Sequence, residues 1–219
     1  MTPFAQASAA LAESLFDDPF YWAITEDFGD AVGARKHALS RYFNYSLEEA
    51  ERTGRCVVAP DPSLGAAAWL LPRSPAVEAA ESSAKFQYLA SALASRGKKN
   101  YYRIVGDMAP RAARVVPHNA WYLSIIGILP TAQGRGLGAK LLAGTLAEAS
   151  HANVTCYLET FTSRNLRFYE RLGFRRVADY LEPTTDKGYV VMRKDAGRGY
   201  DDGRPKLHFP GGKFGARFS

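Results

Sequence analysis

A mixed α/β fold, with parallel and antiparallel strands in one sheet flanked by helices, is predicted by three observations. The first half of the chain is mostly helix-period apolar stripes, interrupted by one short hairpin pattern. The second half alternates strand, helix, strand, helix and closes on two strand-like runs. The most strand-like run of all, Ala120 to Ile128, leads into a glycine-rich turn that opens a helix.

Each element has a local cause. Phe4 to about Phe16 reads as a helix, with Phe4, Leu11, Leu15 and Phe16 near one face among helix-favouring alanines. Asp17-Asp18-Pro19 ends it, because the residue before proline avoids the helical region. Phe20-Tyr21-Trp22 is expected on a turn or loop. A second helix spans about Val32 to Arg52, striped by Leu39, Tyr42, Phe43, Leu47 and Ala50, and stopped by Gly54. Cys56–Ala59 and Leu64–Leu71, around Pro60-Asp61-Pro62, read as a hairpin. Helices follow at about Ala76–Ser95 and Tyr101–Arg114, separated by Gly97-Lys98-Lys99. Ala120–Ile128 is rich in β-branched and aromatic residues and is read as a strand. Leu137–Ser150 is a helix, Val154–Glu159 a strand, and Thr162–Leu172 a short helix. Thr162 or Ser163 is expected to cap that helix, and Gly173 to close it in a left-handed position. Arg175–Leu181 and Gly188–Arg193 are the last strands.

Composition bounds the setting. The chain has 219 residues, 47% hydrophobic and 23% charged, enough for one domain with a core that needs no disulfide or metal. Cys56 and Cys156 sit in apolar strand-like runs and read as small hydrophobes. His37, His118, His151 and His208 have no ligand spacing, so no metal is expected. There is no signal-like start and no run of the roughly 18 apolar residues that a membrane span needs. A cytoplasmic protein that does not enter the membrane is the expectation. Half of the net charge of +6 lies in residues 196–219, a basic, glycine-rich tail expected to be flexible. The domain proper is expected over residues 1–195. The tail could bind single strands through its cations and aromatics, but the body is only mildly basic and nucleic acid is not the expected partner.

The chemistry centres on Ile126 to Ala139. A strand that feeds a glycine turn and then a helix leaves backbone N–H groups pointing outward, with the helix dipole behind them. That is an anion site suited to phosphate, and Arg135 adds charge. Gly134, Gly136, Gly138 and Ala139 also fit the dinucleotide fingerprint, with Glu159 placed where a ribose-binding acid belongs. Against it, Leu129 to Gln133 separate the strand from the first glycine, and the chain upstream lacks regular strand–helix alternation. A turn that only packs a helix on a sheet is the third reading.

Two motifs decide between these readings. Ile126-Gly127-Ile128-Leu129-Pro130 followed by Gln133-Gly134-Arg135-Gly136-Leu137-Gly138 resembles the acetyl-CoA motif of the GNAT superfamily. Asn165 to Phe174 resembles its second landmark. Within the superfamily the sequence looks most like puromycin N-acetyltransferases and similar antibiotic-acetylating enzymes. This likeness lies in Trp121-Tyr122-Leu123, Ile128-Leu129-Pro130, Gln133 to Gly138, Leu158-Glu159-Thr160, and Arg164 to Phe174. It is clear over 118–194, weaker over 4–117 and absent in the tail.

The resemblance implies the GNAT fold, a curved mixed sheet whose middle strands splay to admit the cofactor. It implies acetyl-CoA as cosubstrate and transfer of the acetyl group to an amine. Ile126, Gly127 and Ile128 would hydrogen-bond the pantetheine arm. Gln133, Gly134, Arg135, Gly136, Leu137, Gly138 and Ala139 would hold the pyrophosphate. Asn165 would bond pantetheine or position its helix, and Tyr169 would protonate the leaving thiolate. Glu159, at a strand end beside the start of the Tyr169 helix, is the candidate base, acting through water. A purely structural role, as a cap or ion pair, is its alternative; simple packing is the alternative for Tyr169. Phe20, Tyr21, Trp22 and Glu26 are expected around the acceptor, since aromatics with acids suit a cationic amine. The acceptor could be an antibiotic or xenobiotic, a metabolic amine such as a polyamine or arylalkylamine, or a protein. A homodimer is the assembly to test. A CoA-binding module without catalysis is the reading from another class.

Overall fold

The computed structural model describes residues 4–196. Beyond Ala196, the expected basic tail lies outside the described residues. Six strands form one sheet: β1 (Gly54–Val58), β2 (Gly65–Leu70), β3 (Trp121–Ile128), β4 (Cys156–Thr160), β5 (Arg175–Glu182) and β6 (Lys187–Lys194). Their order is β1-β2-β3-β4-β6-β5. Among the described residues only β3 and β4 run parallel, and every other pair is antiparallel. The described residues also form seven α-helices: α1 (Ala5–Ser14), α2 (Pro19–Ile24), α3 (Val32–Thr53), α4 (Pro75–Ala92), α5 (Ser95–Ala112), α6 (Leu137–His151) and α7 (Leu166–Arg171). The mixed α/β fold read from the sequence is the fold observed.

Helices cover both faces. On one, α1, α2 and α3 bury Leu11, Ile24, Leu39, Phe43 and Leu47 against Ala66 and Ala68 of β2 and Ile125 of β3. On the other, α6 and the α7 region bury Leu141, Leu142, Leu146 and Phe174 against Trp69, Trp121, Leu123, Leu158 and Met192. A third cluster joins α2 and α5 to β6 through Ala23, Ile104, Met108, Tyr189 and Val191. Burial of this kind supplies roughly 1.5–3 kcal/mol for each large apolar side chain. Gly127 permits the close approach of α1, since a Cβ there would lie 2.2 Å from Ser14 Oγ and 2.8 Å from Leu11 Cδ2. Among the described residues no helix is long and apolar enough to cross a membrane.

Three local expectations are corrected. Phe20-Tyr21-Trp22 is helical rather than looped: Asp18 accepts the Phe20 N–H at 2.9 Å and Pro19 takes the first helical position, so Asp18-Pro19 starts α2, while α1 already ends at Ser14. Gly97-Lys98-Lys99 does not separate two helices but lies in the first turns of α5. Gly97 N–H, one of the free donors of that turn, is capped by Asp27 Oδ2 at 2.7 Å, and a Cβ there would strike the Ile24 carbonyl. Neither Thr162 nor Ser163 caps α7 with its side chain; a 3-10 turn at Ser163–Asn165 precedes the helix. Gly173 does close α7 at φ +89°, with Phe174 N–H donating to Tyr169 O at 3.1 Å.

Candidate active site

The site begins where the sheet opens. β3 and β4 pair only at Trp121–Cys156 and Tyr122–Tyr157, after which β3 runs on to Ile128 and β4 to Thr160 without meeting. A bulge at Ser124 marks the separation: Leu123 opposes Trp69 and Ile125 opposes Ala68, leaving Ser124 unpaired on β2. The extra residue reverses the alternation of the strand. Trp121 and Leu123 face the α6 layer, whereas Ile125 faces α1 and α3. The facing edges of β3 and β4 are therefore free for an extended ligand, with Ile126 on the cavity wall.

At the end of β3, a 3-10 turn (Pro130–Ala132) carries the chain into the glycine turn. Gly134 and Gly136 sit at φ +78° and +76°, a backbone that side-chain-bearing residues rarely adopt, and the space around both is open. Gly136 caps α6 with no side chain over the first N–H groups, so these are free to meet an anion. Gln133 Nε2 donates to Ile128 O at 2.9 Å, which ties the turn to the strand end. Arg135 is exposed and donates to Thr131 O at 3.3 Å. Gly138 faces away from the turn's open side: a Cβ there would lie 3.1 Å from the Phe168 ring, so α6 and α7 pack through it. Leu137 and Ala139 are half-buried at the helix start.

The opening leads into a cavity of about 420 Å³. Glu159, Tyr169, Asn165, Ser124 and Asp18 all line it. Tyr122 Oη donates to Glu159 Oε2 at 3.0 Å, while Glu159 Oε1 is shut from solvent and has no partner. Burial pushes the Glu159 carboxyl up to about 7, and the Tyr122 bond offsets only part of this. Burial also raises Tyr169 above its ordinary value, with a further push from Asp18, so its hydroxyl is a protonated donor at neutral pH. Asp18 is itself raised to about 6 by burial, against the backbone N–H groups of Phe20 and Tyr21. A proton acceptor near neutrality and a retained donor thus share one cavity.

Residues 96–176, from α5 to the start of β5, match the family model described as an acetyltransferase (GNAT) domain. The chain is similar to that family over this stretch, which is well under half of its length. Its fold is similar to a histone acetyltransferase HPA2 and related acetyltransferase structure from Corynebacterium glutamicum, at 23% identity over 90% of this chain and 93% of that one, with a TM-score of 0.57. It is likewise similar to arylalkylamine N-acetyltransferase 2 from Aedes aegypti, at 14% identity over 89% and 94% of the two chains, TM-score 0.57. A mycothiol acetyltransferase from Gordonia bronchialis is 49% identical over 57 residues, which is 25% of this chain and only 18% of that protein. The dinucleotide reading loses its structural basis, because a doubly wound sheet is parallel and this one has a single parallel pair.

The GNAT domain match begins at residue 96, so α1 to α4 lie outside it. Of the acceptor residues expected there, Phe20 and Tyr21 reach the cavity wall. Trp22 and Glu26 do not. Trp22 is 46% exposed and stacks on the Arg35 guanidinium, 3.8 Å from the ring centre. Glu26 pairs with Arg96 at 3.1 Å and accepts from Asn100 at 3.0 Å. Helical spacing explains the split: within α2, Phe20 and Tyr21 turn inward and Trp22 turns out. Sequence reasoning missed Tyr42, Tyr101 and Tyr157 as cavity residues, together with the charged trio Glu49, Arg73 and Lys85. A glutamate on the stripe side of α3, two turns after Tyr42, was the available signal. Among the described residues, no group of His, Cys, Asp or Glu is arranged to hold a metal.

Proposed function

We propose that this chain is an acetyl-CoA-dependent N-acetyltransferase acting on the primary amine of a small molecule. The observation that carries the reading is the opening between β3 and β4, which joins a bare helix N-terminus to a cavity holding Glu159 and Tyr169. Acetyl-CoA supplies an activated acyl group. The residues present suit it: free strand edges for an amide-bearing arm, unfilled space at Gly134 and Gly136, and uncapped N–H groups for the pyrophosphate. Asn165, at the head of α7, lines the path between them.

Glu159 takes the ammonium proton, directly or through water, and Tyr122 holds its other oxygen. The freed amine nitrogen then bonds to the thioester carbonyl carbon, and the surplus proton that it still carries passes to water. As the C–S bond breaks, Tyr169 gives its proton to the departing sulfur and is later reprotonated from solvent. The departing thiolate, whose thiol has a pKa of about 8.5, is a moderate acceptor for that proton.

Small molecules are favoured as acceptors because Phe20, Tyr21, Tyr42 and Tyr101 close the cavity with rings. Such a lining suits an aromatic amine by stacking and cation–π contact. An amino-bearing antibiotic or xenobiotic is the acceptor suggested by the motif likeness, which makes detoxification the role. An arylalkylamine is the metabolic alternative that the same rings favour. Cys56 and Cys156 are free thiols, as a reducing cytoplasm keeps them. The test is thiol release from acetyl-CoA with phenethylamine, an aminonucleoside antibiotic, spermidine and a lysine peptide. The proposal expects turnover with the two aromatic amines well above that with spermidine or peptide. Turnover with the peptide alone would overturn the small-molecule assignment.

A further inference from the structure

The cavity has a second polar region that the acetyl-transfer scheme does not use. It is built by α3, α4 and the segment after β2, not by β4. Glu49 Oε1 accepts from both Nη1 and Nη2 of Arg73, each at 3.1 Å, and Oε2 accepts from Lys85 Nζ at 2.8 Å. These side chains are only 5% (Glu49), 6% (Arg73) and 15% (Lys85) exposed. Two cations therefore share one buried anion. Glu78, at the cavity wall, reaches Arg73 Nε at 3.4 Å, but it is 60% exposed and keeps much of its hydration, so it offsets the buried charge only in part. Arg73 Nε is buried without a hydrogen-bond partner.

Lys85 spends one hydrogen bond on Glu49 and lies near the ring faces of Tyr42 and Tyr101, at 6.0 and 5.9 Å. The other N–H groups of its ammonium have no protein acceptor among the bonds that hold the trio. Burial disfavours both Lys85 and Glu49 as ions. Their neighbours outweigh it, raising Lys85 and lowering Glu49, so both stay charged at neutral pH. A buried excess of positive charge is costly unless an anion completes it. Both cations line the same cavity as Glu159 and Tyr169, so the completing anion can belong to the acceptor.

We propose that Lys85, held in place by Glu49 and assisted by Arg73, binds a carboxylate on the acceptor. The preferred substrate is then an aromatic amine carrying an acid on the part remote from the amine. This rests on the N-acetyltransferase reading and narrows its substrate class. The negative acceptor group balances the trio, the rings of Tyr42 and Tyr101 flank the aromatic body, and the amine is left for Glu159.

Two amines of the same body separate the ideas: phenethylamine and 4-(2-aminoethyl)benzoate, titrated by calorimetry into the CoA-saturated protein, with turnover measured in parallel. The wild type is expected to bind the benzoate more tightly by about tenfold or more, the size of one charge-assisted contact. In Lys85→Met the preference falls to near unity, while phenethylamine binding and acetyl-CoA binding hold. Arg73 still pairs with Glu49 in that variant, so no charge is orphaned. Lys85→Arg should restore part of the preference, and Lys85→Gln, which keeps a donor to Glu49, serves if the Met variant does not fold. Equal affinity in the wild type, a preference that survives Lys85→Met, or binding of neither amine overturns the carboxylate site. Loss of the acetyltransferase reading would look different: no acetyl-CoA binding by the wild type and no thiol release with any amine.

Discussion

Tyr169→Phe lowers kcat by about 10²-fold or more, the usual contribution of a positioned general acid, and leaves the Kd for acetyl-CoA nearly unchanged. The expectation follows from position. Tyr169 is buried in α7 and lines the cavity that also holds Glu159. Burial and the nearby Asp18 keep its hydroxyl protonated well above neutral pH. Phe preserves the ring contacts with Phe168 and Phe174, so the fold should tolerate the change. Stopped-flow thiol release with separate calorimetry on acetyl-CoA gives both numbers. Unchanged kcat would mean that the ring only packs and that another group, or water, protonates the sulfur.

Glu159→Gln has two separable consequences. As the base, Glu159 must be ionised, so kcat/KM of the wild type should rise with pH through about 7 and level off above. The Gln variant loses this rise and falls by about 10²-fold at alkaline pH. Stability moves the other way. Folding lifts this carboxyl from 4.5 to about 7, so the native state holds the proton more tightly than the unfolded chain. Below the lower value both states are protonated and nothing is lost. As pH rises from there through about 7, ionising the buried group costs stability, and above it the cost is complete, roughly 3 kcal/mol at 1.36 kcal/mol per pKa unit. Gln carries no such cost. Urea unfolding should therefore find Glu159→Gln more stable than wild type at about pH 8, with the gap closing toward pH 5. Asp18 titrates in an overlapping range, raised to about 6, but it is present in both proteins and cancels in the comparison. A purely structural Glu159 would reproduce the stability crossover without altering the pH profile of kcat/KM.

Much of the fold was legible because local and global signals agree. The helix stripes of α3 and α6, the hydrophobic run of β3 and the glycine turn each point to their observed state. The separation of β3 from β4 was expected from resemblance, yet its physical device was not legible. The bulge at Ser124 exists only through pairing with β2, and nothing in Leu123-Ser124-Ile125 announces it. Phe20-Tyr21-Trp22 is helical because Asp-Pro is also a helix-start signal, with aspartate as N-cap and proline at the first position. The glycine turn was readable since its glycines and the start of α6 are contiguous in sequence. The proposed acceptor side is assembled from α2, α3, the segment after β2, α4 and α5, so Glu49, Arg73 and Lys85 meet only after folding. Gly127 illustrates a mixed outcome: assigned to cofactor binding, it also owes its missing Cβ to the contact with Ser14 and Leu11.

The central claim is that the glycine turn and the opening between β3 and β4 bind acetyl-CoA. Thermal unfolding with acetyl-CoA, CoA, NADH or no ligand tests it directly. A ligand that binds only the folded state, at about 100 times its Kd, adds roughly 2.7 kcal/mol, a rise of a few degrees in Tm. The account predicts that rise with acetyl-CoA and CoA and none with NADH. A rise with NADH alone, or with none of the three, would contradict it.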